Sequence, residues 1–94
     1  MALTRGSFGG YEFDRMVVLF SMMDGQREVR CAVSTSAMDD LEKTAKTKPE
    51  QREEQFMRLR DRIEKRAAQK IVAGEFEGIP RGIILRSLDF RDER

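Results

Sequence analysis

The residue types that most often perform catalysis are scarce in this sequence. The chain contains no histidine, so the most common general base and metal ligand is missing. Its one cysteine, Cys31, cannot by itself build a usual zinc site or a cysteine–histidine nucleophile pair. The sequence therefore predicts no catalytic residue, no metal site and no cofactor, and it argues against an enzyme.

Two other patterns resemble a phosphate-binding loop and an acid/base pair, but their positions in the sequence do not suit either site. Gly9-Gly10 does not precede the strand-to-helix junction that a phosphate-binding loop needs. Asp39-Asp40 and Glu53-Glu54 are neighbouring carboxylates, but adjacent residues of a helix point in different directions. They are not expected to share an acid/base site.

Cys31 has two interpretations. A redox-active or nucleophilic thiol would make the chain a thiol-dependent enzyme. A thiol in the middle of a strand, on its apolar face, is instead expected to be a small core residue with a raised pKa. The sequence favours the second interpretation.

Basic residues recur at helical spacing in the second half of the chain. Arg58, Arg62 and Arg66 are four residues apart, so their side chains can line one side of a helix. This pattern predicts a surface that binds nucleic acid or an acidic ligand. Acidic residues along the same helix favour a solvated face of ion pairs instead, and no aromatic residues alternate with the basic ones.

The elements that must position these residues are clearest between Met16 and Ser34. Asp24-Gly25 indicates a two-residue β-hairpin turn, which would pair Met23 with Gln26. Side-chain alternation then places six residues on one core-facing side. These residues are Met16, Val18, Phe20, Val29, Cys31 and Val33.

The opposite face of the hairpin is half apolar and would be continued by the last strand. The apolar residues of this patch are Val17, Leu19, Ala32 and Ile84. Because such a patch is rarely left open to water, we predict that it closes a homodimer or receives a protein partner. The alternative is that a glycine-rich arm, residues 1–15, folds over the patch through aromatic residues. Those residues are Phe8, Tyr11 and Phe13.

Two helices and one strand are predicted after the hairpin. A short helix is expected over residues 35–45, with three candidate N-caps at 34–36. Thr47 and Glu50 have capping-box spacing and begin a long helix over 50–73, which ends at Gly74. A last strand is expected over 82–89. The long helix carries one apolar stripe, formed by Phe56, Leu59, Ile63, Ala67 and Ile71.

The element order β-β-α-α-β predicts an α+β fold. We expect an antiparallel sheet of three strands, or four if the arm joins, with two helices packed on one face. The 94 residues, of which 39% are hydrophobic and 37% charged, fit a single domain over 1–94.

Charge and hydropathy narrow the class of partner. A net charge of +1 argues against a protein built as a whole for nucleic acid or an anionic membrane. The chain has no apolar run of signal-peptide or membrane-spanning length, so we predict a cytoplasmic location and no membrane partner. A lone cysteine fits such a reducing compartment.

Nearly the whole sequence resembles one family. The segment YEFDRMVVLFSMMDGQREVRCAVSTSAMDDL, the helix RDRIEKRAAQKI and the strand GIILRSLDF are similar to the short bacterial proteins grouped as domain of unknown function 1488. The resemblance implies a small cytosolic α+β protein, and it brings no established activity, cofactor or binding residue. The first fifteen residues match that family poorly.

These observations lead to one principal function and two alternatives. The principal prediction is a non-enzymatic interaction module that self-associates through its sheet. The alternatives are a nucleic-acid or acidic-ligand binder that uses the three arginines, and an enzyme that uses Cys31.

Overall fold

Four segments form one sheet in the order β1-β2-β3-β4. The computed structural model describes residues 3–91, so the ends of the expected domain, 1–2 and 92–94, lie outside the described residues. The strands are β1 (Leu3–Glu12), β2 (Val17–Asp24), β3 (Arg27–Ser34) and β4 (Ile83–Leu85). The helices are α1 (Thr35–Glu42) and α2 (Arg52–Ala73), with short 3-10 turns at Pro49–Gln51 and Ser87–Phe90. The α+β class is confirmed.

The hairpin of β2 and β3 forms in a register two residues away from the predicted one. Asp24 pairs with Arg27, whereas the sequence predicted a pair between Met23 and Gln26. The reason lies in Gly25, which has φ +65° and occupies the first of the two loop positions. A type II′ turn places its glycine there.

The inner face of the hairpin survives this shift, because a two-residue slip preserves side-chain alternation. Phe20 now lies opposite Cys31, and Val18 lies opposite Val33. Met16 is the exception among the six predicted residues. It precedes β2 with φ +54°, and 55% of it is exposed.

The N-terminal arm is a full edge strand. β1 pairs antiparallel with β2, so its backbone extends the sheet instead of crossing it. Phe8 and Tyr11 pack against the core, and Phe13 is 70% exposed. The alternative in which the arm folds over the outer patch is therefore wrong, because pairing with β2 turns the first two aromatic residues to the inner face.

Two irregularities bend β1 beside β2. The register shifts between Arg5 and Phe8 and again between Phe8 and Gly10. At Gly6 a Cβ atom would lie 2.6 Å from the backbone oxygen of Ser21, so only glycine fits. The Ser21 hydroxyl accepts a hydrogen bond of 2.9 Å from the backbone N–H of Ser7. The Ser21 side chain thus accepts from a backbone N–H that the bulge removes from the hydrogen bonds between β1 and β2.

The sheet is mixed, which corrects the expected antiparallel arrangement. β4 runs parallel to β3 and pairs only with Cys31–Val33. α2 explains this direction, because Ile71, in its last turn, lines the same groove as Arg27 at the hairpin end of the sheet. The chain therefore re-enters the sheet from the end where β3 begins. β4 stops at Leu85, and the rest of the expected strand over 82–89 is the 3-10 turn Ser87–Phe90.

Both helices begin and end for identifiable reasons. The Ser34 hydroxyl caps α1 by accepting from the N–H of Ala37 at 3.0 Å, so one of the three candidate caps is used. α1 stops at Glu42, short of 45, where Lys43 adopts a left-handed conformation with φ +54°. Gly74, with φ +73°, ends α2 as predicted.

The start of α2 differs from the predicted capping box. The Lys48 N–H donates to the Gln51 side chain at 3.0 Å, and the chain passes through the 3-10 turn before α2. Thr47 instead donates its hydroxyl to Asp39 at 3.0 Å. The capping-box prediction for Thr47 and Glu50 is wrong because Thr47 binds the neighbouring helix.

The core lies between α2 and the inner face of the sheet. All five residues of the predicted α2 stripe are buried. Phe56 is fully buried, with its ring centroid 5.3 Å from those of both Phe8 and Phe20. This aromatic contact joins α2 to the first two strands.

A buried polar cluster joins the start of α2 to α1. Arg52 is 6% exposed and donates to Asp39 at 2.7 Å. Gln55 is fully buried and donates to the same carboxylate at 2.9 Å. Burial raises the pKa of Asp39, but hydrogen bonds from Arg52, Gln55 and Thr47 outweigh burial and hold it below its ordinary 3.8.

We expect Ser21→Ala to lower the free energy of unfolding by about 1 kcal/mol, since the Ser7 N–H loses its acceptor. Urea denaturation measures this change. Ser36→Ala is the matched control, because Ser36 is exposed and should change stability by less than about 0.5 kcal/mol. Equal stabilities for the Ser21 and Ser36 variants would show that the hydroxyl does not support the bulge.

We expect Asp39 to contribute acid-sensitive stability. Because its folded-state pKa is lowered, this contribution is complete above about pH 4 and is lost as the pH falls through the folded pKa. Asp39→Asn should cost about 3 kcal/mol at neutral pH, because Arg52 keeps a buried charge without a carboxylate. It should also flatten the acid limb of a stability-versus-pH curve. Asp40→Asn, at an exposed neighbour, should leave that limb unchanged.

Candidate functional site

The sheet brings the four predicted interface residues onto one surface. Leu19 lies beside Ala32, and Ala32 lies beside Ile84, so these three form a row across β2, β3 and β4. Val17 lies two positions before Leu19 on the same side of β2. Both helices pack on the inner face. We call the opposite surface, which carries these four residues, the outer sheet face. Val17 and Ala32 are buried there, at 7% and 4% exposed, and Leu19 and Ile84 are half-buried.

Two adjoining grooves cross the outer sheet face. One, of about 670 Å³, is lined by Leu19, Ile79 and Ile84, among others. The other, of about 460 Å³, is lined by Val17, Ile84 and Leu88, among others. Ile79 is fully exposed and Leu88 is 66% exposed, so each groove has an apolar side chain standing in solvent beside it.

The rim of this surface carries charge of both signs. Arg15 forms an ion pair with Glu12 at the edge near β1. Arg86 forms another with Glu77 near β4, at 2.6 Å. Each edge of the outer sheet face is thus close to neutral and offers both a cation and an anion. The arrangement suits apolar contact at its centre and polar contact at its border.

The three predicted anion-binding residues lie along α2, away from the outer sheet face. Arg58 donates to Glu42 on α1 through Nε at 2.8 Å, and this hydrogen bond raises its pKa. Arg66 donates to the backbone oxygen of Asp89 at 2.7 Å. Arg62 is exposed on the same helix and has interactions of its own. Two of the three guanidinium groups therefore bind other elements of the fold.

Cys31 lies in the core, as the sequence favoured. It is 4% exposed, and burial raises the pKa of its thiol to about 12. The register predicted from the Met23–Gln26 pair would place it opposite Val18, but its cross-strand neighbour is Phe20. A thiol with this pKa is protonated at neutral pH and is a poor nucleophile.

Sequence reasoning missed one residue of the outer sheet face, Ile79. The signal available was a large apolar residue between Gly78 and Pro80, in a turn where small and polar residues dominate. Leu88 was expected on the last strand, which continues this face, but it lies in the 3-10 turn after β4 and is 66% exposed.

Within residues 3–91, no group of three or more acidic or cysteine side chains is placed to hold a metal ion. Among the helices of that range, none has the length and apolarity needed to cross a membrane.

Comparison with known proteins identifies the family. The family model described as "Protein of unknown function (DUF1488)" matches residues 9–84. A solved structure of a DUF1488 protein of unknown function from Shewanella loihica is similar in fold, with a TM-score of 0.74 and 17% sequence identity. The match covers 92% of this chain and 97% of that one. No curated protein matches significantly. The chain belongs to the DUF1488 family of proteins of unknown function.

Proposed function

We propose that the chain is a non-enzymatic interaction module that forms a homodimer through its outer sheet face. One observation carries this proposal. Ile79 and Leu88, two of the most exposed large apolar residues, line the grooves on the sheet face that the helices leave uncovered. Apolar side chains in this arrangement gain free energy when a second surface covers them.

The size of the surface supports a dimer. The four strands have ten, eight, eight and three residues, which at about 3.3 Å per residue and about 4.8 Å between strands give a flat area of about 460 Å². Burying this area on both partners removes about 920 Å², close to the lower limit of about 1,000 Å² for a specific interface. The loops that carry Ile79 and Leu88 add to it.

The charge pattern supports self-association over a partner of strong opposite charge. A two-fold contact brings the surface against its own copy, so an excess of one sign would repel. The ion pairs Glu12–Arg15 and Glu77–Arg86 keep each edge close to neutral. In the dimer, each of these charged side chains can pair with an opposite charge of the other copy, so no charge is buried without a partner.

The same proposal places the protein in the bacterial cytoplasm, where a reducing environment keeps the buried thiol of Cys31 free. An enzyme that uses this thiol is disfavoured, because the core surrounds it and its pKa is about 12.

Binding of nucleic acid by α2 is the less favoured alternative. Arg58 and Arg66 already bind Glu42 and Asp89, and a phosphate would have to compete with these contacts. Salt separates the two functions, because phosphate contacts weaken steeply with added salt and an apolar interface does not.

We expect the wild-type protein to sediment at about twice its 10.9 kDa mass at micromolar concentration. The double substitution Ile79→Ser with Leu88→Ser should weaken the dimer at least about tenfold, because each side chain loses apolar burial. Sedimentation equilibrium measures both masses. The fold should persist, since both residues are exposed in the single chain.

Val72→Ser is the matched control for this experiment. Val72 is 67% exposed on α2 and should leave the dimer intact. A wild-type mass of one chain at every concentration would contradict the homodimer and leave the outer sheet face to a different protein partner.

We expect a thiol reagent to label Cys31 far more slowly in the native protein than in urea, because the thiol is buried and protonated. The rate is unambiguous, since the chain has no other cysteine. Labelling of the native protein as fast as that of the unfolded chain would show that Cys31 is accessible and would revive the thiol-enzyme alternative.

A further inference from the structure

A separate groove lies at the hairpin end of the sheet, beside the first half of β3. β4 pairs only with Cys31–Val33, so residues 27–30 have no neighbouring strand on that side. The segment between α2 and β4 runs past this gap and leaves a groove of about 410 Å³. Arg27 and Arg30 line it from β3, and Phe76 and Arg81 line it from the connecting segment.

The arginines of this groove differ from most of the other described arginines. Ion pairs with carboxylates are formed by Arg5, Arg15, Arg52, Arg58, Arg60, Arg66 and Arg86, and Arg62 has interactions of its own. Within residues 3–91, Arg27, Arg30 and Arg81 form no such pair. Arg81 instead makes a cation–π contact, with its guanidinium carbon 5.6 Å from the ring centroid of Phe76.

Three arginines that form no ion pair among residues 3–91 therefore line the groove. Side-chain alternation directs Arg27 and Arg30 to opposite faces of β3, so Arg27, on the side of Val29 and Cys31, and Arg81, against Phe76, are the two guanidinium groups that the site uses. Asp24 and Glu28 also line it, but neither reaches ion-pair distance of these arginines. The formal charge of the lining is thus +1. Ile71, Phe76 and Pro80 supply an apolar wall on the side of α2 and the connecting segment.

We propose that this groove binds a small ligand that carries a phosphate group. Arginine forks match the geometry of phosphate oxygens, and charge-assisted hydrogen bonds of this kind are among the strongest that proteins make. The volume falls within the range of small-molecule sites. The apolar wall would contact the uncharged part of a phosphorylated metabolite. This site adjoins the proposed dimer surface, because Glu28, Arg30 and Pro80 line both grooves, but Arg27, Phe76 and Arg81 line only this one, and Ile79 and Leu88 do not line it.

The test is calorimetric titration of the full chain with inorganic phosphate, AMP and adenosine. We expect phosphate and AMP to bind and adenosine to fail, because adenosine lacks the charged group. AMP binding tighter than phosphate would indicate that the ligand's organic part contacts the apolar wall. Equal affinities would identify phosphate itself as the ligand.

Substitutions locate the binding. Arg27→Gln and Arg81→Gln should each weaken AMP binding about tenfold through the loss of one charge-assisted hydrogen bond. Glu28→Gln should strengthen AMP binding, because it removes from the groove a negative charge that repels the phosphate. These residues are exposed, and circular dichroism confirms that each variant is folded.

Arg91→Gln is the matched control, since Arg91 is an exposed arginine without a carboxylate partner in the described residues and lies outside the groove. Absence of phosphate and AMP binding, or an equal loss in the Arg91 variant, would overturn the proposal. Leu88→Ser should bind AMP as the wild type does, so failure of the dimer and failure of this site are distinguishable.

Discussion

The fold depends on the packing of one long helix against one face of the sheet. Phe56 of α2 contacts Phe8 and Phe20, and the stripe below it continues to Ile71 near the hairpin end. This contact fixes how α2 lies on β1 and β2. It also sets where the chain returns to the sheet, and so gives β4 its parallel direction.

Buried charges hold both ends of this helix in place. Near its start, Arg52 binds Asp39 of α1. Near its end, Lys70 is 5% exposed and donates to Asp89 at 3.1 Å and to the backbone oxygen of Ile84 at 2.9 Å. A buried charge without a partner is costly. A shift of α2 along the sheet would separate Arg52 from Asp39 and Lys70 from Asp89, so these two pairs favour one position of the helix. Both helices therefore pack on the inner face of the sheet, and neither covers the outer sheet face.

Patterns of short range were sufficient to predict part of this structure. The apolar stripe of α2 follows from its helical period, and the inner face of the hairpin follows from alternation, which a two-residue shift does not disturb. The patch of Val17, Leu19, Ala32 and Ile84 follows from the same alternation. Its residues meet because the strands that carry them are neighbours.

The remaining features depend on contacts between distant parts of the chain. The direction of β4 depends on the path of α2. The Asp39–Arg52 pair spans 13 residues and looks in the sequence like two ordinary surface charges. The groove with Arg27 and Arg81 exists only because β4 is short. None of these has a local sequence pattern, so a single sequence could not reveal them.

The irregular course of β1 has a consequence for assembly. An exposed edge strand with a regular backbone invites another strand, and repeated pairing of this kind gives open ribbons and aggregates. The bulge near Gly6 breaks that template, and Arg60 places its guanidinium 3.5 Å from the Gly6 oxygen. Growth by edge-to-edge addition at β1 is therefore discouraged. The proposed dimer uses face-to-face contact instead, and a two-fold contact of that kind closes after two copies.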